Sequence, residues 1–175
     1  FRIGVNDLRG GLTARQVSTQ ITMLAEECLE AAYAIALLAL QERHGTPEKA
    51  RFAIIGLGKL GGKELIYGSD LDIVFVYTGD DEERTRGREP ITAHEFFVKL
   101  GQRIISVLGL KTKEGFVFNV DARLRPSGSA GPLVVSLNAL IAYHREKTSV
   151  WERQAYLKAR SVAGDKTTGE AILKE

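Results

Sequence analysis

Cysteine is almost absent from this 175-residue chain: Cys28 stands alone, which excludes an internal disulfide framework. The histidines His44, His94 and His144 are scattered, so no Cys/His cluster exists to hold a structural zinc. An excess of either charge sign is also lacking. With 24 basic and 22 acidic residues the formal net charge is +2, far from the strongly basic balance of a protein that coats nucleic acid. No apolar run is long enough to span a bilayer, since the best stretch, Ala31 to Leu40, is about half the required length. No signal peptide pattern is present, and Phe1 is not preceded by a methionine. These features predict a segment of a longer, soluble, cytoplasmic protein, with neither nucleic acid nor membrane as its partner. What remains is ordinary globular composition, 44% hydrophobic and 26% charged, enough for a proper core.

From Thr13 to about Glu42, apolar positions including Val17, Ile21, Leu24, Ala25, Cys28, Leu29, Ala32, Ile35 and Ala36 recur at helical spacing, and Gly45 and Pro47 stop the run. Phe52 to Ile55 reads as a buried strand entering a glycine-dense turn. Asp72 to Tyr77 reads as a second strand, and Thr78 to Pro90, polar and mixed in charge, as an exposed loop. Thr92 and Glu95 form a capping box for a helix with the stripe Phe96, Phe97, Leu100 and Ile104, closed by Gly109. Phe116 to Val120 is expected to be a third strand ending in Asp121. Leu133 to Val135 then leads to Ser136 as an N-cap for a helix to about Glu146, and a last helix is expected over Val150 to Val162. Trp151 and Tyr156 read as packing residues of that helix. The order implies an α+β fold, a small mixed sheet flanked by helices. The division expected is a helical segment, 1–50, packed on a domain, 51–175.

Gly56-Leu57-Gly58-Lys59-Leu60-Gly61 matches a dinucleotide-binding fingerprint, but the geometry is wrong for it. That fold needs a full helix after the loop and an acid at the far end of the second strand. Here only ten residues separate Gly61 from Asp72, and the acids precede the strand. A P-loop is excluded because no Gly-Lys-Ser/Thr follows at the required distance. Two readings stay open: a tight strand-to-helix turn without a ligand, or a turn whose backbone approaches phosphates.

Asp70 and Asp72 flank Leu71 at the start of an apolar strand. Residues i and i+2 share a strand face, so the two carboxylates would stand together. Like charges held close repel unless a cation lies between them, and oxygen-only donors suit Mg²⁺ or Mn²⁺. The plain alternative is a solvated Asx turn. Asp121 would join them if its strand ran antiparallel beside Asp72 to Tyr77, and three carboxylates can hold two metal ions. Between Arg103 and Arg160 there are ten Lys/Arg against four Asp/Glu. Arg123 and Arg125 would neutralise a polyphosphate, or else are surface arginines before Pro126. Lys158 and Arg160 read as a solvated helix face.

Gly58-Lys59-Leu60-Gly61-Gly62-Lys63-Glu64-Leu65, then Ser69-Asp70-Leu71-Asp72, then Val120-Asp121-Ala122-Arg123-Leu124-Arg125-Pro126-Ser127-Gly128 resembles the glutamine synthetase adenylyltransferases. So does Trp151-Glu152-Arg153-Gln154-Ala155 with Lys158-Ala159-Arg160. The resemblance implies a DNA polymerase β-like nucleotidyltransferase fold, one of two such units in a multifunctional enzyme of nitrogen metabolism. One unit transfers AMP from ATP to a tyrosine of glutamine synthetase; the other removes it by phosphorolysis, giving ADP. It further implies Asp70, Asp72 and Asp121 as catalytic and Mg²⁺-binding. Gly58, Lys59, Gly61, Ser69, Arg123 and Arg125 would be nucleotide-binding, and the PII signal protein would be a partner of the full-length enzyme. The Asp-Ala-Arg-Leu-Arg-Pro-Ser-Gly run and the segment from Arg2 to Leu8 look more like the C-terminal, adenylylating half. Gly131-Pro132-Leu133-Val134 and Trp151-Glu152-Arg153 are equally at home in the removing half. A nucleotide-sensing module without chemistry is the remaining alternative.

Overall fold

The computed structural model describes residues 1–111, 113, 115–147 and 149–174. A short helix α1 (Arg2–Leu8) precedes the long helix α2 (Ala14–His44). Thr13 opens α2 with a capping box to Gln16, and Gly45, at φ +68°, ends it. Strands β1 (Arg51–Gly56) and β2 (Leu71–Thr78) enclose the one-turn helix α3 (Gly58–Gly61). Helix α4 (Ala93–Leu108) carries the expected Thr92–Glu95 capping box. Then come β3 (Val120–Asp121), a 3-10 turn (Gly128–Ala130), β4 (Val134–Ser136) and α5 (Leu137–Glu146), capped by the Ser136 hydroxyl. Helix α6 (Val150–Tyr156), β5 (Arg160–Gly164) and α7 (Lys166–Ile172) complete the chain.

β2 lies antiparallel to β1, and β1 antiparallel to β5. Along the other edge of β2, β3 pairs parallel with its first residues and β4 parallel with Phe75 to Tyr77. Along β1 and β2 side chains alternate between the two faces of this mixed sheet. Phe52, Ile54, Ile73, Phe75 and Tyr77 join the core built with α2 and α4. Ala53, Ile55, Val74 and Val76 join a smaller core with Leu140 of α5 and Ile172 of α7. On the first face Phe52 stacks on Tyr33, Phe75 and Phe97. Burying such a ring contributes about 1.5–3 kcal/mol. The packed seam of α2 is narrower than its apolar pattern, because Leu24 and Ile35 are half exposed while Ala25, Ala32 and Ala36 let the helix approach closely.

Several sequence expectations change. The third strand is two residues long, not Phe116 to Val120; Phe116 and Val117 stand half exposed because Val120 already lies opposite Leu71, the first residue of β2, so the residues before it run past the start of that strand. It runs parallel to β2, not antiparallel. The last predicted helix stops at Tyr156, and residues 160–164 instead extend the sheet, pairing with the open edge of β1. Trp151 is largely exposed, whereas Tyr156 packs on His144 and donates its hydroxyl proton to the Leu124 carbonyl at 3.1 Å. The stretch from Thr78 to Pro90 is exposed for most of its length but buries Thr85.

Candidate functional site

The register between β2 and β3 pairs Leu71 with Val120 and Asp72 with Asp121. Register partners share a sheet face, so two carboxylates face one another on the side away from α2 and α4. Asp72 is half-buried, and its carboxyl is pushed above the ordinary range by that burial, then by Asp121 and Asp70. Lys59 and Arg123 pull in the opposite direction without cancelling the effect. Asp72 and Asp121 are thus brought side by side by parallel strands whose starts coincide, not by the expected antiparallel arrangement, and Asp70, exposed just before β2, is near enough to act on the charge of Asp72.

Arg123 engages Asp121 closely. Its Nε lies 3.0 Å from each carboxylate oxygen, its Nη2 2.6 Å from Oδ2, and its backbone N–H donates to Oδ1 at 2.9 Å. That guanidinium holds the Asp121 carboxyl below its usual range against the opposing effect of burial. Arg125 does something else. It donates to the carbonyls of Ala122 at 2.6 Å, Gly131 at 3.3 Å and Ser129 at 3.4 Å, so it shapes the 122–131 loop.

The glycine turn closes the site from the other side. The Leu57 N–H donates to the Asp72 carbonyl at 2.8 Å, fixing the turn to β2. Gly58 has φ +50°, and a Cβ there would sit 2.8 Å from Asp72 Oδ2. Only glycine permits both that backbone and that approach. Ser69 lies in the turn before Asp70, its hydroxyl accepting from the Ile66 N–H at 3.1 Å. Lys59 is exposed and near enough to act on the charge of Asp72.

Over residues 1–175 the chain matches the model of the glutamate-ammonia ligase adenylyltransferases. The chain belongs to this family. It is 43% identical, over 99% of its length, to a bifunctional glutamine synthetase adenylyltransferase/adenylyl-removing enzyme of Thioalkalivibrio sulfidiphilus. The enzyme of the same name from Pseudomonas putida is 42% identical over 98% of the chain, and that from Pseudomonas syringae 41% over 99%. The chain spans about 18% of the length of these relatives. The small mixed sheet, with its long N-terminal helix and flanking helices, is consistent with the DNA polymerase β-like nucleotidyltransferase fold expected of an adenylyltransferase of this family.

Two residues of the chain have roles that the sequence pattern did not announce. Lys158 and Arg160 are not a solvated helix face. Lys158 pairs with Glu64 at 2.7 Å, and Arg160, in β5, donates to the Leu60 and Gly61 carbonyls of α3. The missed signal was the alternation of Arg160, Val162 and Gly164, a strand period hidden by the helical residues before it. No described helix is long and apolar enough to cross a membrane.

Proposed function

We propose that this segment is the adenylylating unit of such an enzyme, transferring AMP from ATP to a tyrosine of glutamine synthetase with release of pyrophosphate. The observation that carries the reading is the mutual crowding of Asp70, Asp72 and Asp121 beside a glycine turn that only glycine can form. Crowding of this kind raises the Asp72 carboxyl and has no structural benefit of its own. An oxygen-only donor set fits a hard divalent cation, Mg²⁺ or Mn²⁺. Among the described residues no group of three His, Cys, Asp or Glu is arranged to hold an ion as it stands, and Arg123 covers both oxygens of Asp121. Asp70, Asp72 and Asp121 would hold the cation once Arg123 releases Asp121. When bound, Mg²⁺ supplies charge neutralisation of the triphosphate and a lower pKa for the attacking hydroxyl.

The chain's own residues do the rest. Gly58 allows close backbone approach to the phosphates, Gly61 lets the turn pack against the Lys158 carbonyl behind it, and Lys59 and Ser69 offer a cation and a hydroxyl. Arg123, freed from Asp121, meets the leaving pyrophosphate, while Arg125 keeps its loop in position. Asp121 accepts the tyrosine proton, whose ordinary pKa is near 10. The reaction takes place in the cytoplasm, with the PII signal protein acting on the full-length enzyme.

Label from α-phosphate-labelled ATP should appear on glutamine synthetase, and Asp121→Asn should abolish it; undiminished transfer by that variant overturns the role given to Asp121. The relatives' names carry both activities, which supports a second reading: removal of AMP by phosphorolysis in the same site. Incubating adenylylated synthetase with phosphate and finding ADP would select that reading.

A further inference from the structure

The glycine turn is held from behind by segments about a hundred residues or more away in the chain. Arg160 donates from Nε to the Gly61 carbonyl at 3.2 Å and from Nη2 to the Leu60 carbonyl at 3.1 Å. These carbonyls lie at the C-terminal end of α3, where a helix leaves its acceptors open and favours a cation. The same Nη2 is paired with Glu26 Oε1 on α2, and both side chains are about one quarter exposed, at 27% and 26%. Lys158 adds a second fastening through Glu64. Its carbonyl lies so near Gly61 that a Cβ there would come within 2.1 Å.

The placement follows from the sheet. Arg160 is the register partner of Gly56, the last residue of β1, so its side chain emerges where the strand becomes the turn. A guanidinium can satisfy two carbonyls and a carboxylate at once with fixed angles, which an ammonium cannot do. On its opposite side the turn meets Asp72, through the Leu57 N–H and the open face of Gly58.

We propose that Arg160, oriented by Glu26, is the positioning residue of the phosphate-binding turn: it clamps α3 against Asp72, so that the turn meets a nucleoside triphosphate already in its bound arrangement. The proposal rests on the nucleotidyl-transfer reading above. A turn ordered beforehand costs nothing to order on binding, so loss of the clamp shows as lost affinity in protein that is still folded.

The test compares the 175-residue chain with Arg160→Gln, Arg160→Lys and Glu26→Gln. Mg²⁺–ATP affinity is measured by calorimetry, Tm by circular dichroism, and amide exchange at Gly61, Gly62 and Glu64 by NMR. Arg160→Gln should weaken binding about tenfold and Glu26→Gln about threefold. Exchange at those amides should quicken before nucleotide is added, and Arg160→Lys should recover only part of the affinity. A lowered Tm with unaltered affinity and exchange overturns the proposal and leaves Arg160 a fold-stabilising residue. If Arg160→Gln does not fold, Glu26→Gln decides, because it keeps the shape and removes only the charge. If the unmodified chain binds no Mg²⁺–ATP, the nucleotidyl-transfer reading fails and the nucleotide role of Arg160 with it. The exchange data then tell whether the clamp itself exists.

Discussion

Arg123 closes on both carboxylate oxygens of Asp121 while Asp121 stands in register with Asp72. The guanidinium thereby supplies positive charge at a point where two facing carboxylates would otherwise repel. It also covers the oxygens that a metal would use. Arginine and cation therefore compete for Asp121.

From that competition comes a prediction of opposite signs. Arg123→Gln should bind Mn²⁺ about three- to tenfold more tightly than the unmodified chain when no nucleotide is present, read from the free-Mn²⁺ electron paramagnetic resonance signal. The same variant should bind ATP more weakly, having lost a guanidinium that meets phosphate. Equal Mn²⁺ affinity in the two proteins would show that Arg123 does not guard Asp121.

Asp72 should be a residue whose removal stabilises. Its folded carboxyl lies above the ordinary value, through burial and through Asp121 and Asp70. A raised carboxyl leaves stability intact below the unfolded pKa and loses it as pH rises through the folded one. That loss grows towards neutral pH, so Asp72→Asn should raise Tm at pH 7, each kcal/mol gained being worth roughly 2–4 °C in a chain of this size. The gain should shrink with added salt, because the group is only half-buried, and vanish below about pH 4. Mg²⁺ should raise the Tm of the unmodified chain and not of Asp72→Asn. A fall in Tm at pH 7 would count against the strain assigned to this site.

The local signals were legible in the sequence and the edges of the sheet were not. Thr92 with Glu95, Ser136, Gly45 and the alternating apolar residues of β1 and β2 each settle their own neighbourhood, and each stands as read. The meeting of Asp72 and Asp121 was legible in part because both acids stand at the ends of apolar runs, where a sheet brings neighbours together. The direction of β3 depends on how the chain re-enters the edge of β2 left free by β1 and shared with β4, a choice made by chain segments far apart. The misreading of Arg160 has the same origin. Its partners, Glu26, Leu60 and Gly61, are about a hundred residues or more away, and no periodicity announces them. Asp165 as N-cap of α7, with Thr168 donating its N–H at 2.7 Å, was a local signal that went unread.

Gly58 tests the shape of the site directly. Alanine there would have to adopt φ +50° and place its Cβ 2.8 Å from Asp72 Oδ2. Both demands disfavour it, the backbone alone by about 1–3 kcal/mol. Gly58→Ala should lower Tm and displace the Asp72 carboxylate, so Mg²⁺–ATP binding should fall at least about tenfold. Gly68, also at positive φ but with open space around it, is the control: Gly68→Ala strains the backbone and should leave nucleotide affinity unchanged.

Glu83 is the counterpart of Asp72, a carboxylate used for the fold. It lies after β2 and accepts the N–H groups of Glu48 at 2.6 Å, Lys49 at 2.9 Å and Ala50 at 2.9 Å, fastening the entry of β1. Burial alone would raise its carboxyl, but those amides and the charge of Lys49 hold it below the usual range. Its contribution is therefore present above the ordinary glutamate value and lost as pH falls through the lowered folded one. Glu83→Ala leaves these N–H groups without their acceptor and should cost about 1–3 kcal/mol at pH 7, with Glu83→Gln costing less because one acceptor oxygen remains. Denaturant titrations at pH 7 and near pH 3 should show the gap between Glu83→Ala and the unmodified chain narrowing in acid. Asp72→Asn should behave in the reverse sense, gaining at pH 7 and losing its advantage in acid. Opposite responses from two carboxylates on one strand and its following loop would separate the charge that serves chemistry from the charge that serves folding.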